Sequence, residues 1–313
     1  MTAQARVADI ASRVGQVRVI CLGLSAQDQV WRVERSFSGQ SEKIRSTEYT
    51  TLGGGMAANA AVTVARLGGA ISFWGRGGDD APGREMRAAL AAEGIDVANF
   101  RLFADGRSSV SGIIVDKSGE RQIVNFRGSF PEAADWLPLG DVARASAALA
   151  DPRWVDGAVA LFGKARSLGI PTVLDGDVAD AEVFERLLPF TDHAIFSEPA
   201  LAAFAGSADD VSLTKLARFN CRVVAVTRGG DGVSWHENGR PQRLAAFPVA
   251  VVDTTGAGDV FHGAYAVAIG ASLTVPDAMA FASAAAALKC TRSGGRAGIP
   301  SINDCLAFMR THQ

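Results

Sequence analysis

The stretch VVDTTGAGDVFHGA, residues 251–264, combines features that rarely occur together at the start of a helix. Asp253, two threonines, a Gly-Ala-Gly and a second acid, Asp259, precede small and apolar residues at helical spacing. Glycine costs about 1 kcal/mol relative to alanine inside a helix, so the two glycines indicate a role for the backbone itself. Exposed amides at a helix N-terminus bind anions, because the helix dipole is positive there. The stretch therefore predicts an anion site with Asp259 beside it.

Phosphoryl transfer to a hydroxyl is a reaction that uses both an anion site and an adjacent carboxylate. The amides of Gly256, Ala257 and Gly258 would neutralise the transferring phosphoryl group, and Asp259 would accept the proton of the attacking hydroxyl. A capped helix start with flexible glycines is the alternative interpretation. Two other nucleotide sites are disfavoured: GLSAQD (23–28) lacks G-x-G-x-x-G, and GGGMAAN (53–59) lacks the Lys-Ser/Thr of a P-loop.

The composition is that of an ordinary globular protein. The 313 residues are 48% hydrophobic and 20% charged with a formal net charge of -2, which predicts a large core and no nucleic-acid or anionic-membrane partner. No apolar run reaches the roughly 20 residues of a membrane span, and the first sixteen residues do not resemble a signal peptide. Four widely separated cysteines favour free thiols, so we expect a cytoplasmic protein.

Strand and helix patterns alternate along most of the chain. Short apolar runs rich in β-branched residues predict buried strands at 17–23, 70–75, 171–175, 193–197 and 222–227. Helical patterns occupy 55–68, 83–94, 156–169 and 212–219. The alternation predicts one α/β domain, residues 1–313, with a mostly parallel sheet that helices cover on both faces.

Two segments break this alternation. Residues 29–50 and 108–126 alternate polar and apolar side chains, and DKSG (116–119) is typical of a hairpin turn. Half-polar strands do not belong inside a sheet covered on both faces, so we expect the two segments to pair as a small flap. Ligands of open α/β sheets bind outside the carboxyl ends of the strands, where such a flap would be a lid.

DTTGAGD (253–259), GGGMAAN (53–59) and GRGGDDAPG (75–83) together resemble the motifs of the ribokinase-like, or PfkB, family of small-molecule kinases. The motifs keep the family's order, and the alternation of strands and helices matches from about residue 17 to 308. The resemblance implies a central sheet with a β-lid, ATP with Mg²⁺, and phosphorylation of a sugar or nucleoside hydroxyl. Lids of this family often pair, which implies a homodimer.

The resemblance also implies roles for individual residues. Asp259 matches the catalytic base, and the amides of residues 256–258 match the anion hole. Arg76 is placed either to reach the substrate or to brace the lid, whereas His262 and Cys290 are expected to be structural. The residues implied to contact the sugar are Asp28, Gly54, Gly55, Asn59 and Arg76, and those implied to contact the nucleotide are Thr227, Gly229, Gly256 and Gly258.

One feature of the family is absent. Members commonly carry N-x-x-E, whose acid organises Mg²⁺ through water, but the matching residues 197–200 are SEPA, with neither the Asn nor the Glu in place. Either Glu198 substitutes, or the metal is held mainly by the ATP phosphates, since Mg²⁺ often keeps most of its waters. A catalytically inactive sensor also remains an alternative.

A finer resemblance lies outside these motifs. ADPRWVDGA (150–158), DHAIFSEPAL (192–201) and AALKCTRSGGRAGIP (286–300) resemble the sulfofructose kinases, which phosphorylate the 1-hydroxyl of 6-deoxy-6-sulfofructose. That resemblance implies Lys43, Asn125 and Arg153 as sulfonate ligands. The chemistry agrees, because a sulfonate is a permanent anion that needs only donors. Kinases for fructose, a fructose phosphate or 2-keto-3-deoxygluconate remain alternatives.

Overall fold

Strands and helices alternate in the structure, a computed structural model that describes residues 10–35, 37–39 and 41–312. The strands are β1 (Arg18–Gly23), β2 (Ala26–Val33), β3 (Ser46–Gly54), β4 (Ala70–Gly78), β5 (Phe100–Phe103), β6 (Ser109–Val115), β7 (Arg121–Phe126), β8 (Ala147–Ala150), β9 (Thr172–Gly176), β10 (His193–Ser197), β11 (Val223–Thr227), β12 (Val233–Glu237) and β13 (Arg240–Leu244). After a short helical segment at 10–14, the helices are α1 (Met56–Arg66), α2 (Ala81–Ala92), α3 (Val155–Ser167), α4 (Ala181–Leu187), α5 (Glu198–Ala205), α6 (Asp210–Lys215), α7 (Ala257–Gly270), α8 (Val275–Cys290) and α9 (Ile302–Thr311).

The central sheet has nine strands in the order β13-β12-β11-β10-β9-β8-β1-β4-β5. The pairs from β11 to β5 are all parallel, and only β12 runs against the other strands. The carboxyl ends of the parallel strands therefore meet along one edge. The strand order reverses at β1, with β4 on one side and β8 on the other, and ligands of open α/β sheets bind at such a point.

Two apolar cores cover the two faces of this sheet. One contains residues of α1, α7 and α8, including the buried Phe281. The other contains residues of α3, α4 and α5 together with Trp154, just before α3, and Phe196 on β10. Cover on both faces explains why β11, VVAVT, is apolar at consecutive positions. The predicted mostly parallel sheet between two helical layers is confirmed.

The half-polar segments form a second sheet of four strands in the order β3-β2-β6-β7, which we call the lid. Strands β2 and β6 pair in parallel, and the two outer pairs are antiparallel. The predicted turn between β6 and β7 is present: the Asp116 carboxylate accepts hydrogen bonds from the amides of Ser118 and Glu120, and Gly119 has a φ of 85°. The strands of the first segment extend beyond the predicted 29–50 at both ends, from Ala26 to Gly54, whereas those of the second lie within the predicted 108–126.

The four cysteines are free thiols, as expected. Cys21 and Cys305 are buried, and burial raises the pKa of the Cys305 thiol to about 12. None of the helices in the part of the chain that the structure describes combines the length and apolarity that a membrane crossing requires.

Candidate active site

The loop between β13 and α7 carries the predicted anion site. Gly256 caps α7 with a φ of 76°, a left-handed conformation that glycine adopts without strain. The amides of Gly256 and Gly258 have no hydrogen-bond acceptor among the described residues, whereas the amide of Ala257 donates to the carbonyl oxygen of Thr254 at 3.1 Å. Two of the three predicted amides are therefore available to an anion at this helix N-terminus, and the third is already used to shape the turn.

Asp259 lies in the first turn of α7 and faces α1. Its Oδ2 accepts a hydrogen bond of 2.6 Å from Nδ2 of Asn59, while its Oδ1 has no hydrogen-bond partner among the described residues. Burial raises the pKa of Asp259 to about 7, and the charge of Asp175 adds to this effect while the hydrogen bond from Asn59 opposes it. A carboxylate with a pKa near neutrality and one free oxygen suits a general base.

Arg296, between α8 and α9, is a site residue that we did not identify from the sequence. Its Nε donates to Oδ1 of Asn59 at 2.8 Å, and its Nη2 donates to the carbonyl oxygen of Gly54 at 2.8 Å. Because the arginine occupies Oδ1 of Asn59, the amide nitrogen must face Asp259. Burial lowers the pKa of Arg296 to about 10, against the charge of Asp28, so the guanidinium stays cationic at neutral pH.

The glycines of GGGMAAN make room for these side chains. A Cβ on Gly53 would lie 2.1 Å from Nη1 of Arg296, and a Cβ on Gly54 would lie 2.4 Å from Oδ2 of Asp28. Gly55 has a φ of 94°, and a Cβ there would overlap the backbone that follows β1. This motif therefore admits a guanidinium and a carboxylate, which differs from the phosphate-cradling role of a P-loop.

Three polar side chains lie in register across one face of the lid. Asp28 on β2 pairs with Ser111 on β6, and Ser111 pairs with Asn125 on β7. Nδ2 of Asn125 lies 3.1 Å from Oγ of Ser111. Burial raises the pKa of Asp28, and the hydrogen bond from Ser111 and the charge of Arg296 oppose that rise. We call Asp28, Ser111 and Asn125 the lid row; it covers two interstrand spacings, roughly 10 Å.

Arg153 follows β8 at the carboxyl edge of the central sheet. Its Nη1 donates to the carbonyl oxygen of Val178 at 2.9 Å, and its Nη2 pairs with Asp177 at 3.1 Å. The Arg153 amide donates to Oδ1 of Asp151, and Oδ2 of this buried acid accepts from the amides that follow β1 and begin α1. Asp151 thus fixes Arg153 at the point where the strand order reverses.

Arg76 packs against aromatic side chains and backbone carbonyl groups near Arg153. Its side chain is buried, and its guanidinium lies over the rings of Trp154 at 4.5 Å and Phe130 at 5.0 Å. It donates to the carbonyl oxygens of Pro131 and Arg153. These contacts join Arg76 to the segment after the lid and to the Arg153 backbone, and its role in substrate binding or in bracing the lid stays a prediction.

Lys43, a predicted sulfonate ligand, lies in the segment between β2 and β3. Lys43 is exposed, three residues before β3, and forms no ion pair within the described residues.

His262 is buried, with Nδ1 2.7 Å from the carbonyl oxygen of Gly258 and Nε2 3.0 Å from that of Ile195. Burial lowers the pKa of His262. Its contacts tie α7 to β10, the structural role expected of it.

A cavity of about 640 Å³ opens beside the anion loop. Its polar side contains Thr227, the last residue of β11, and Gly229, and its apolar side contains Phe247, Ala286 and Cys290. Thr254, Ala257 and Gly258 of the anion loop complete the lining. An apolar slot that ends at a helix N-terminus has the chemistry of a site for a nucleotide, with the base in the slot and the phosphates at the amides.

The family model for pfkB family carbohydrate kinases matches residues 16–302. The chain belongs to this family. A fructokinase from Klebsiella pneumoniae is 35% identical over 280 residues, covering 80% of the kinase and 90% of that relative. A crystal structure of a candidate ribokinase from Agrobacterium tumefaciens is 36% identical with a TM-score of 0.88, covering 94% and 98% of the two chains.

Arabidopsis thaliana ribokinase, solved with ribose and ATP, is 26% identical to the kinase with a TM-score of 0.84, covering 94% and 98% of the two chains. These findings confirm the predicted family and the ribokinase-like α/β fold with its small second sheet. The protein is an ATP-dependent sugar kinase.

In the part of the chain that the structure describes, the kinase has no preformed cluster of metal-ligating side chains. No group of three or more His, Cys, Asp or Glu side chains there is arranged to hold a metal ion. Ala200, at the position of the family's acid, is buried, and Ser197 retains a capping role by accepting a hydrogen bond from its amide. Glu198 lines the nucleotide cavity, about half exposed and 3.8 Å from Nε of Arg228. A carboxylate so placed suits a cation held mainly by the nucleotide phosphates, with its waters retained.

Proposed function

We propose that this kinase transfers the γ-phosphoryl group of ATP to the 1-hydroxyl of 6-deoxy-6-sulfofructose, giving the 1-phosphate and ADP. The lid row carries the proposal. Asp28, suited to sugar hydroxyls, stands at one end, and Asn125, an amide donor, stands roughly 10 Å away at the other. Arg296 and Asn59 continue the polar track from Asp28 to Asp259. A hexose along this track has one end at the base and the other at Asn125.

We place three donors at the far end of the track, and their charges favour a monoanion. Asn125, Arg153 and Lys43 supply donors, which is what the three acceptor oxygens of a sulfonate require. Arg153 already shares its charge with Asp177. A phosphate dianion would therefore be left undercompensated and would be repelled by Asp177, whereas a sulfonate carries a single charge at every pH at which the protein is folded.

The residues at the other end fit the phosphoryl step. The 1-hydroxyl oxygen bonds to the γ-phosphorus, its proton passes to Oδ1 of Asp259, and the bond from phosphorus to the ADP oxygen breaks. Asn59 holds the second carboxylate oxygen, and the amides of Gly256 and Gly258 face the charge that develops on the phosphoryl group. Mg²⁺ on the ATP phosphates would offset their charge, with Glu198 ordering its waters.

We further propose that the kinase is a homodimer through the lid. The face opposite the lid row carries Trp31, Tyr49 and Val124, of which Tyr49 is 54% and Val124 78% exposed. Exposed apolar side chains clustered on a sheet face are typical of an interface. Sedimentation should therefore give a dimer, and Val124→Glu should shift it to monomer. A monomeric wild type at the concentrations of the assay would contradict this proposal.

A panel of acceptors tests the substrate assignment. ADP release is measured with sulfofructose, fructose, fructose 6-phosphate and ribose, and we expect sulfofructose to have the highest kcat/KM. Fructose is the second candidate, because the Klebsiella pneumoniae fructokinase is 35% identical to this chain over 280 residues. If fructose 6-phosphate is the best acceptor, the enzyme is a phosphosugar kinase and the proposal is wrong.

The variant Arg153→Met, assayed with the same acceptors, tests whether Arg153 binds the sulfonate, because methionine keeps the apolar stem and removes every donor. Charge-assisted hydrogen bonds of this kind correspond to about 10- to 150-fold in kcat/KM, so a loss of that order is expected for sulfofructose and little change for fructose. Lys43→Met should act in the same direction more weakly, because a flexible ammonium loses more entropy for each bond. Arg144→Met is the matched control, since Arg144 also pairs with an aspartate but is exposed.

A further inference from the structure

Lys289, near the end of α8, is a lysine without solvent exposure. Its Nζ lies 2.8 Å from the carbonyl oxygen of Asp253, 3.4 Å from the carbonyl oxygen of Arg292 and 3.3 Å from Oδ2 of Asp253. Burying an ammonium is costly unless oxygen atoms surround it, and these three come from two separate loops. The sugar and nucleotide contacts described above leave this charge without a role.

The partner of Lys289 is the residue that opens the anion loop. Oδ1 of Asp253 accepts from the amide of Thr255 at 2.9 Å and pairs with Arg121 of the lid at 3.3 Å, and Oδ2 accepts from the amide of Gly294 at 3.1 Å. Partial burial pushes the pKa of Asp253 upward, but the hydrogen bonds from Thr255 and the charge of Lys289 outweigh it and hold the pKa below its ordinary value. The Asp253 carboxyl group is therefore ionised at neutral pH.

The anion loop needs support of this kind. Residues 245–256 contain neither helix nor strand, and the amides of Val252 and Asp253 attach this segment to α8 by donating to the carbonyl oxygen of Cys290 at 2.7 and 3.1 Å. Lys289 adds a side-chain link: its ammonium contacts the carbonyl and the carboxylate of Asp253 and also a carbonyl of the loop after α8. Its charge contacts Asp253, three residues before the first of the amides that would receive the phosphoryl group, and a fixed positive charge on that side favours the transition state.

We propose that Lys289 is a positioning residue that serves as a built-in monovalent cation: its ammonium orders residues 253–258 through carbonyl and carboxylate oxygens, so that turnover requires no free monovalent cation. An ammonium held among carbonyl and carboxylate oxygens makes the contacts that a bound potassium or ammonium ion would make. Because the ammonium is covalently attached to α8, its presence in the site does not depend on the concentration of a free ion. The proposal rests on the kinase reaction but not on the identity of the sugar.

The first test uses the wild-type enzyme and whichever sugar it phosphorylates. Initial rates are compared in buffers of equal ionic strength whose only monovalent cation is tetramethylammonium, sodium, potassium or ammonium. We expect kcat to agree across the buffers within about twofold, well below the effect of one charge-assisted hydrogen bond. A rise of about tenfold or more with potassium or ammonium would overturn the proposal. The comparison of ratios is independent of whether sulfofructose is the best acceptor.

The second test removes the charge. Lys289→Met keeps much of the volume, and we expect kcat to fall about 10- to 150-fold with the KM for sugar nearly unchanged, because the loop that receives the phosphoryl group is displaced. Lys289→Ala leaves space for an ion, so potassium or ammonium should restore part of kcat and tetramethylammonium should not. Lys215→Met is the control, since Lys215 also donates to a backbone carbonyl but is exposed.

A folded Lys289→Met enzyme with unaltered kcat would overturn the proposal, and so would a Lys289→Ala enzyme that no cation improves. Circular dichroism and ADP binding by calorimetry establish that each variant is folded. If neither variant folds, the salt comparison on the wild type decides the question alone.

Discussion

The nucleotide half and the sugar half of the cleft are built differently. The nucleotide half is a largely apolar cavity of about 640 Å³ with free amides at one end. In the sugar half, the polar groups bond to one another: Asn125 to Ser111, Arg153 to Asp177, and Arg296 to Asn59. ATP therefore meets a site that is already formed, whereas a sugar must exchange existing hydrogen bonds. We infer that selectivity resides in the sugar half, and that changes at the junction of the halves affect every acceptor alike.

The strongest test of this comparison is at the junction, where Asp259 stands. Asp259→Asn preserves the shape of the side chain and removes the base, so kcat should fall by about 10² to 10⁴, the usual contribution of a positioned general base. ATP binding, measured by calorimetry with a non-hydrolysable analogue, should change little because the cavity is intact. Unchanged turnover would exclude Asp259 as the base.

A smaller effect is expected at Arg296, which links the two halves through Asn59. Arg296→Met should lower kcat/KM about 10- to 150-fold for every sugar, because the loss of a charge-assisted hydrogen bond frees the Asn59 amide to rotate away from Asp259. Arg292→Met is the control, since Arg292 lies in the same segment and pairs with Asp304 away from the site. An effect confined to the KM for ATP would contradict the assignment.

The pH dependence follows from the raised pKa of Asp259, about 7. The base works only when ionised, and a raised carboxyl pKa means that protons occupy it below pH 7. The kcat/KM for sugar should therefore fall about tenfold for each pH unit below 7 and level off above it. The residual activity of Asp259→Asn should lack this limb. A wild-type profile that stays flat from pH 8 to pH 5 would show that a different group accepts the proton.

The smallest effect is expected in the nucleotide half, at Glu198. Activity should require Mg²⁺, and Glu198→Gln should raise the Mg²⁺ concentration for half-maximal rate about threefold, because the carboxylate touches the ion only through water. A Mg²⁺ titration on both enzymes gives the comparison. Identical curves would remove Glu198 from the site, and full turnover in excess chelator would refute the metal requirement.

The sequence predicted those features of the structure that depend on neighbouring residues. The alternation of polar and apolar residues predicted the lid strands, and two glycines beside a carboxylate predicted the anion loop. Strand β8, AALA, was missed because alanine has no preference for strands, and only its position between β1 and β9 makes it one. Sequence also could not show that the amide of Ala257 is taken up by the turn.

Arg296 was missed for a different reason. It stands 237 positions from Asn59 along the chain, and only the complete fold brings the two together. The available signal was the motif GGRAG (294–298), in which a large cation stands among glycines. Lys289 resembles an ordinary lysine at a helix C-terminus, where such residues interact with the dipole, and nothing local indicates that it is buried.

Cys290 has a practical consequence. The thiol lines the nucleotide cavity, and burial raises its pKa, so electrophiles should modify it slowly. Bound nucleotide would cover it, which makes the rate of alkylation a measure of occupancy. Mass spectrometry of the peptide that contains Cys290 could thus titrate nucleotide affinity in the unmodified enzyme, without a phosphoryl acceptor and without an introduced label.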